Sequence, residues 1–329
     1  MAKSKAQPAP RARPSARARH ADSERWNRIF IIGGVLAVVL IVVGIVAYGW
    51  YDTKIKPLGK TVLTVEDTKV SLAHLERRME YELKVSPGIA NDPNRALGFA
   101  DETLAQLEFE GTVLASIGGI DIAVTDEDVA SEVKSRGNLA EDVEAKIYAN
   151  EFRRQVKDSG LKENEYRQLL AAQLATDKLA AYFAFLAPAA EPQVKARWMT
   201  FDTSEAAQQA LERVRAGEDF AAVGGELALD PPLERDWSPR GSLLLPKEVE
   251  DFLFGAQAGQ LSEVISVSNA YYVAELQGTE PERPLTDEQR PQVAQRNMNE
   301  WIQEQNGKLT IEKNLSQEDA LKAVSDVFS

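Results

Sequence analysis

Residues 210–231 read ALERVRAGEDFAAVGGELALDP, and this stretch decides the fold of the second half of the chain. The apolar residues around its start have the i, i+3, i+4, i+7 spacing of an amphipathic helix, and they are Ala207, Ala210, Leu211 and Val214. Ser204 can cap this helix and Gly217 ends it, and a second short helix is predicted from Asp219. The stretch therefore predicts two consecutive helices joined by a glycine turn.

Strands are predicted on both sides of these helices. Around them we predict strands at 194–201, 261–267 and 270–276, a loop at 229–241 and a short helix at 246–254. A tight turn at Ser268 and Asn269 joins the last two strands. Residues 191–280 are therefore expected to form a module that contains both helix and sheet.

Mainly helical sequence flanks this module. Residues 59–70, GKTVLTVEDTKV, alternate as in a short strand or hairpin, whereas residues 71–187 and 286–329 are mainly helical in pattern, and the breaker PAAEP at 188–192 marks a boundary. Thr125 and Asp128 have the spacing of a capping box at the start of one helix. His74, on the first of these helices, is interpreted as a surface residue. The expected fold class is α+β.

An uninterrupted apolar stretch lies near the N-terminus. Residues 29–50 read IFIIGGVLAVVLIVVGIVAYGW, which is 22 residues without a charge, long enough to cross a membrane as a helix. A cleaved signal peptide is the competing interpretation, but its apolar region would be shorter. Residues 1–28 hold eight Lys and Arg residues, and the positive-inside rule keeps such a tail in the cytoplasm. We expect a disordered basic tail, a single transmembrane signal anchor and an extracytoplasmic body from residue 51.

The composition excludes several classes of function. The chain has no cysteine, which excludes thiolate metal sites, disulfide scaffolds and cysteine nucleophiles. It has two histidines, His20 and His74. Its net charge of −13 disfavours nucleic acid as a partner, because an acidic surface repels phosphate. No Walker loop, HExxH or GxSxG motif occurs. We expect no cofactor and no bound metal.

Three ordered motifs make the body of the chain resemble the SurA/PrsA/PpiD group of extracytoplasmic foldases. They are LEFEGTVLASIGGIDIAVTDEDVASEV (107–133), the opening stretch 210–231 with its Ala216-Gly217…Phe220 turn, and SPRGSLLLPKEVEDFLFGAQAGQLSEVISVSNAYYVAEL (238–276). The resemblance implies a helical chaperone domain similar to the SurA N-terminal domain at 60–190. It further implies a parvulin-like βαααβαββ peptidyl-prolyl isomerase domain at 191–280, with C-terminal helices at 281–329 that return to the chaperone domain.

The resemblance also assigns residues to a site. In parvulins two hydrogen-bonded histidines, with an Asp or Cys nearby, organise the isomerase site. The first histidine position falls at Trp198 and the second at Tyr272, while Asp230 matches the acidic position. The implied peptide-binding residues are Leu244, Val249 and Phe254.

The replaced histidines leave three interpretations open. Trp198 and Tyr272 can be core fillers, since each shares a strand face with small residues such as Ala196 and Ala274. They can instead form a retained peptide-contact surface, or a working site. Tryptophan only donates hydrogen bonds and tyrosine is uncharged near neutral pH, so the usual pair is lost. Asp230 alone is more often a helix-end or turn residue than a catalytic one.

We therefore weigh three functions. The favoured one is a membrane-anchored chaperone with a degenerate isomerase domain, which holds unfolded or nascent secreted polypeptides in an apolar groove between the helical domain and the module. The alternative is an active peptidyl-prolyl isomerase, an enzyme assignment that the lost histidines leave open. The second alternative is a non-catalytic envelope scaffold, for which a secretion channel is a candidate partner.

Overall fold

The computed structural model describes residues 42–46 and 56–328. Internal contacts divide the chain into two units, Met1–Thr61 with Ser71–Ala73, and Val62–Val70 with His74–Ser329. In the first unit, residues 42–46 are helical and Lys56–Gly59 form a 3-10 turn. The predicted tail at 1–28, and the predicted anchor apart from 42–46, lie outside the described residues.

The described elements alternate between helical runs and short sheets. In chain order they are β1 (Thr61–Val65), β2 (Thr68–Ser71), α1 (Leu72–Val85), α2 (Pro93–Ser116), α3 (Asp126–Arg136), α4 (Ala145–Ser159), α5 (Glu163–Leu186), β3 (Ala190–Phe201), α6 (Ser204–Arg215), α7 (Phe220–Leu227), β4 (Leu233–Pro239), α8 (Lys247–Gly255), β5 (Ile265–Val267), β6 (Ala270–Pro284), α9 (Gln289–Asn306), β7 (Ile311–Lys313) and α10 (Gln317–Phe328). We call Ala190–Pro284 the sheet module.

Helix α5 is the centre of the helical part. It packs against α2, α3, α4 and α9, and Leu179 of α5 shares a buried core with Val113 of α2 and Ile302 of α9. Among the described helices, α5 alone is long and apolar enough to cross a membrane, but 33% of its most apolar window is buried in the fold. Its apolar surface is explained by these packing partners, so it is weak support for a membrane span.

The C-terminal tail contains a strand that the sequence did not reveal. Residues 286–329 read as helical, yet β7 pairs antiparallel with β1, placing Leu63 opposite Lys313 in a sheet of order β2-β1-β7. A strand of three residues carries too little alternation to be recognised from its own sequence.

The sheet module is an antiparallel sheet of order β4-β3-β6-β5 with helices on both faces. On one face Met199, Phe201 and Val273 pack against α6 and α7, through residues such as Leu211 and Phe220. On the other face the strand residues pack against α8. Strands β3 and β6 supply both faces because successive side chains of a strand point in opposite directions.

The order of elements in this module corrects two predictions. The observed order is βααβαββ, with two helices between β3 and β4 where βαααβαββ requires three. The prolines at 231 and 232 explain the missing helix, because proline and the residue before it disfavour helical backbone. Strand β4 lies within 229–241, which was predicted as a loop; it is an edge strand with mostly exposed residues and therefore lacks an apolar alternation.

The ends of several elements can be compared with the caps, turn and strand bounds predicted from the sequence. The capping box at Thr125 is confirmed, with the Asp128 backbone N–H donating to the Thr125 hydroxyl at 3.1 Å. The cap of α6 is Thr203 and not Ser204. The turn at Ser268 is also confirmed, where φ is +53°. Strand β5 is shorter than the predicted 261–267, of which Leu261 contributes one isolated bridge to Glu275.

Candidate functional site

Trp198 lies at the centre of the α8-facing side of the sheet module. It stands opposite Leu233 of β4 on one side and Ala274 of β6 on the other. Only 3% of Trp198 is exposed, and it shares a buried cluster with Val249 and Leu253 of α8. The indole fills the volume over its small neighbour Ala274, so this region is packed core.

Tyr272 belongs to the next row of the same sheet face. It stands opposite Thr200 of β3 and Ile265 of β5, is half-buried, and packs against the cluster that contains Trp198. Diagonal neighbours on one face of an antiparallel pair are within reach of aromatic side chains. The structure therefore brings Trp198 and Tyr272 to one face, as the alternation of their strands predicts.

The residues assigned to peptide binding are distributed unevenly. Val249 is fully buried in the cluster, and Phe254 is half-buried with the Arg240 guanidinium 4.5 Å from its ring centroid. Leu244 is 90% exposed and has a φ of +56°, whereas its neighbour Leu243 lies in the cluster. The left-handed backbone turns Leu244 away from the cluster, which sequence spacing alone did not indicate.

Asp230 lies apart from the cluster. It is exposed, and it follows Leu229, whose backbone N–H donates to the Thr200 carbonyl at 2.9 Å. This hydrogen bond holds the loop that contains Asp230 against Thr200, the β3 residue that stands opposite Tyr272. Within the described part of the chain the Asp230 side chain makes no hydrogen bond.

The chemistry available on this face is limited. An indole N–H and a phenol are its polar groups at the two histidine positions, and neither carries charge near neutral pH. Among the described residues, no group of three or more His, Asp or Glu side chains could hold a metal ion. The face is suited to packing and to contact with apolar groups.

His74 corrects another expectation. It lies on α1 in the helical part, but it is buried and not on the surface. Burial lowers its pKa from the usual value, and the opposing effect of Glu165 does not overcome this. The interpretation as a surface residue missed that Glu165 and Arg77, which are hydrogen bonded at 2.5 Å and 2.9 Å, bring α5 against this side of α1.

A polar joint connects α9 to the sheet module. The Arg296 guanidinium binds both carboxylate oxygens of Glu191 at 3.0 Å and donates to the Arg240 carbonyl at 2.8 Å. Beside it lies a cleft of about 690 Å³ that is lined mainly by residues with charged or carboxamide side chains, although more of its lining surface is apolar than polar. The apolar groove that the sequence predicts between the helical domain and the module stays a prediction.

Two family models match the sequence in series. A SurA-like N-terminal domain matches residues 20–180, and a PPIC-type PPIase domain matches residues 190–290. The chain belongs to the SurA/PrsA-type parvulin foldases. The recognition made from the three motifs is therefore confirmed.

Individual relatives of this foldase are distant. Foldase protein PrsA 4 of Bacillus cereus is 25% identical over 177 residues, which is 50% of this chain and 59% of that protein, so the chain spans less than two thirds of the relative. The crystal structure of PrsA from Bacillus anthracis has a TM-score of 0.38 at 15% identity, and the match covers 68% of this chain and 94% of that structure's chain. The crystal structure of PrsA from Bacillus cereus has a TM-score of 0.37 at 17% identity, and the match covers 82% of this chain and 99% of that structure's chain. At TM-scores below 0.5 these likenesses carry no argument, and the assignment rests on the family models.

Proposed function

We propose that this foldase is a membrane-anchored, extracytoplasmic chaperone that holds unfolded secreted polypeptides, and that its sheet module has lost isomerase activity. The burial of Trp198 is the observation that carries this proposal. The resemblance puts the first parvulin histidine at this position, and an almost fully buried indole stands there.

The chemistry of prolyl isomerisation explains why this burial matters. Rotation about an X-Pro bond has a barrier of about 18–20 kcal/mol, and a catalyst must hold the proline ring and favour the twisted amide. Trp198 and Val249 belong to one buried cluster, at positions that the resemblance assigns to the isomerase site. Entry of a proline would require opening a packed cluster, which supports a module that binds or positions clients without isomerising them.

The anchoring part of the proposal is carried by the sequence. A helix over 29–50 would contain no charged residue, and the basic residues of 1–28 precede it. The body would then face the side on which secreted chains emerge unfolded. Slow X-Pro bonds are one reason why such chains stay unfolded and need a holding factor.

The test is aggregation of an unfolded client in the presence of the full chain. The purified full chain, in detergent micelles, is added in equimolar amount to a chemically unfolded, proline-containing enzyme as it is diluted, and light scattering is followed. We expect a clear delay, and the same delay with Asp230→Ala because holding does not use that carboxylate. Scattering that rises as fast as without the chain would contradict the proposal.

A further inference from the structure

The cleft beside the Arg296 joint is bounded by the sheet module on one side and by α9 on the other. Its sheet-module wall includes Arg240 and Lys247. Its α9 wall presents four carboxamide side chains at helical spacing, which are Gln292, Gln295, Asn299 and Gln303. All four of these residues are exposed. The cleft therefore has one wall of side chains that can both donate and accept hydrogen bonds.

Most of the charged groups around the cleft are paired, while the exposed Glu300 carboxylate lies 3.8 Å from Arg296 Nε. Arg240 and Lys247 both bind Asp251, and Arg296 binds Glu191. The carboxylate of Glu250 accepts a hydrogen bond from the Gly241 backbone N–H at 2.6 Å. A ligand that relied on Arg240, Lys247, Arg296 or Glu250 would have to compete with these pairs.

The carboxamides, in contrast, retain hydrogen-bonding capacity. Gln295 Nε2 donates to the side-chain oxygen Oδ1 of Asn299 at 2.9 Å, which leaves Asn299 Nδ2 and Gln295 Oε1 available. Within the described part of the chain, the side chains of Gln292 and Gln303 make no hydrogen bond. The wall thus offers donors and acceptors at intervals along one helix face.

The dimensions of the wall suit a short extended segment. From Gln292 to Gln303 the helix rises about 16 Å, which is the length of about five residues of extended chain. Such a segment, with a cross-section of about 5 Å by 10 Å, occupies roughly 800 Å³. This is close to the cleft volume of about 690 Å³.

We propose that this cleft binds the main chain of an extended, proline-poor segment of an unfolded polypeptide through the four carboxamides. A carboxamide matches a peptide group because each carries N–H donors and a carbonyl acceptor. Recognition of main chain is independent of client sequence, whereas proline lacks the N–H that this wall would bind. The inference rests on the proposed holding function, and it names the part of a client that is bound.

The proposal is tested by peptide binding to the full chain in detergent micelles. The probe is a fluorescein-labelled, unstructured ten-residue peptide of Ser, Thr, Val and Gly, followed by fluorescence anisotropy. The cleft variant Gln295→Ala/Asn299→Ala is compared with Gln208→Ala/Gln209→Ala, which removes two exposed carboxamides from α6. These exposed helical positions tolerate alanine, so both variants are expected to fold.

We expect the cleft variant to raise the Kd about tenfold, because two of the four carboxamides can no longer hydrogen bond to the peptide, and we expect the α6 variant to bind as the unmodified chain. Methylation of alternate backbone nitrogens of the peptide should weaken binding similarly, and scrambling its sequence should not. Equal binding by both variants, or indifference to N-methylation, overturns the proposal. A chain that delays aggregation but does not bind this peptide also overturns it, whereas a chain that does neither overturns the proposed function itself.

Discussion

Trp198 shows how one residue changes what a fold can do. Its strand position and face follow from the alternation of VKARWMTF, and both were predictable. Its depth was not, because that depends on α8, which brings Val249 and Leu253 against the indole from a separate part of the chain. A small polar residue at position 198 would leave a cavity between the sheet and α8, whereas the indole of Trp198 fills this space.

Truncation of this side chain should therefore destabilise the sheet module. Trp198→Ala is expected to lower the free energy of unfolding by about 3–5 kcal/mol, because a large buried side chain is replaced by a cavity. Trp237→Ala is the control: Trp237 is half-buried beneath Arg283, whose guanidinium lies 4.8 Å from the ring, and its loss should cost less. Urea denaturation followed by circular dichroism measures both, and equal costs would show that Trp198 is not core.

Glu76 gives a pH-dependent prediction. Burial, with the nearby carboxylate of Asp326, raises the pKa of Glu76, and its Oε1 is buried without a hydrogen-bond partner among the described residues. The folded state thus binds the proton more tightly than the unfolded state, so the ionised form weakens folding above the raised pKa, and acidification through that pKa relieves the cost.

Glu76→Gln should accordingly raise the melting temperature at pH 7, and its advantage over the unmodified chain should shrink as the pH falls towards 4.5. Glu80→Gln, one turn further along α1 and exposed, is the matched control and should show little effect at either pH. Thermal unfolding across this pH range measures the difference. A constant advantage at all pH values would contradict the account of Glu76.

One physical reason explains which side-chain positions could be predicted from the sequence and which could not. Tyr272 and Trp198 could be placed on a common face from local alternation, because a strand fixes side-chain direction every two residues. Leu244 and His74 could not be placed, because the first depends on a left-handed backbone residue and the second on another helix. Local periodicity reports direction, while burial is decided by partners distant in sequence.

At the scale of elements, the N-terminus of α3 combines a predicted cap with an unpredicted partner. Thr125 and Asp128 form the capping box, and the Lys178 ammonium of α5 lies 2.8 Å from the Asp128 carboxylate. The hydrogen bond from Lys178, with those from Thr125, lowers the pKa of Asp128 to about 2. The cap therefore also joins α3 to α5.

Loss of this cap should be measurable. Thr125→Ala is expected to cost about 0.5–2 kcal/mol of stability, the usual range for an N-cap, whereas Ser135→Ala on the exposed side of the same helix should be nearly neutral. Because the pKa of Asp128 is lowered, its contribution to stability is fully present above the ordinary pKa of 3.8 and is lost as the pH falls through about 2. NMR titration of Asp128 in both variants checks this, and an unshifted pKa would contradict the capping geometry.

The short strands at sheet edges, β4 and β7, were not predicted from the sequence. Strand β4 needs only β3 as a neighbour and shows mostly polar, exposed residues, so it looks like a loop; β7 is shorter still and is defined by its pairing with β1. A long element such as β3 was recognised because its apolar residues repeat over many positions. The ordered motifs were more informative than any single element, since they identified the family although one helix of the expected order is missing.

For the whole molecule, the proposed topology can be tested because the chain has no native cysteine. Single cysteines introduced as Ser4→Cys and Ser204→Cys should respond differently to a membrane-impermeant maleimide in intact cells. We expect labelling at position 204 only, and labelling at position 4 only after the cells are opened. Equal labelling of both in intact cells would rule out a cytoplasmic N-terminus.

The central claim is that this foldase holds clients without isomerising prolyl bonds. The most direct measurement is protease-coupled isomerisation of a panel of Xaa-Pro peptides by the purified full chain, with Asp230→Ala alongside. Uncatalysed isomerisation takes tens of seconds or longer, so even weak catalysis is visible. The account predicts that the full chain leaves the uncatalysed rate unchanged on every peptide; an acceleration that Asp230→Ala abolishes, with folding intact, would contradict it.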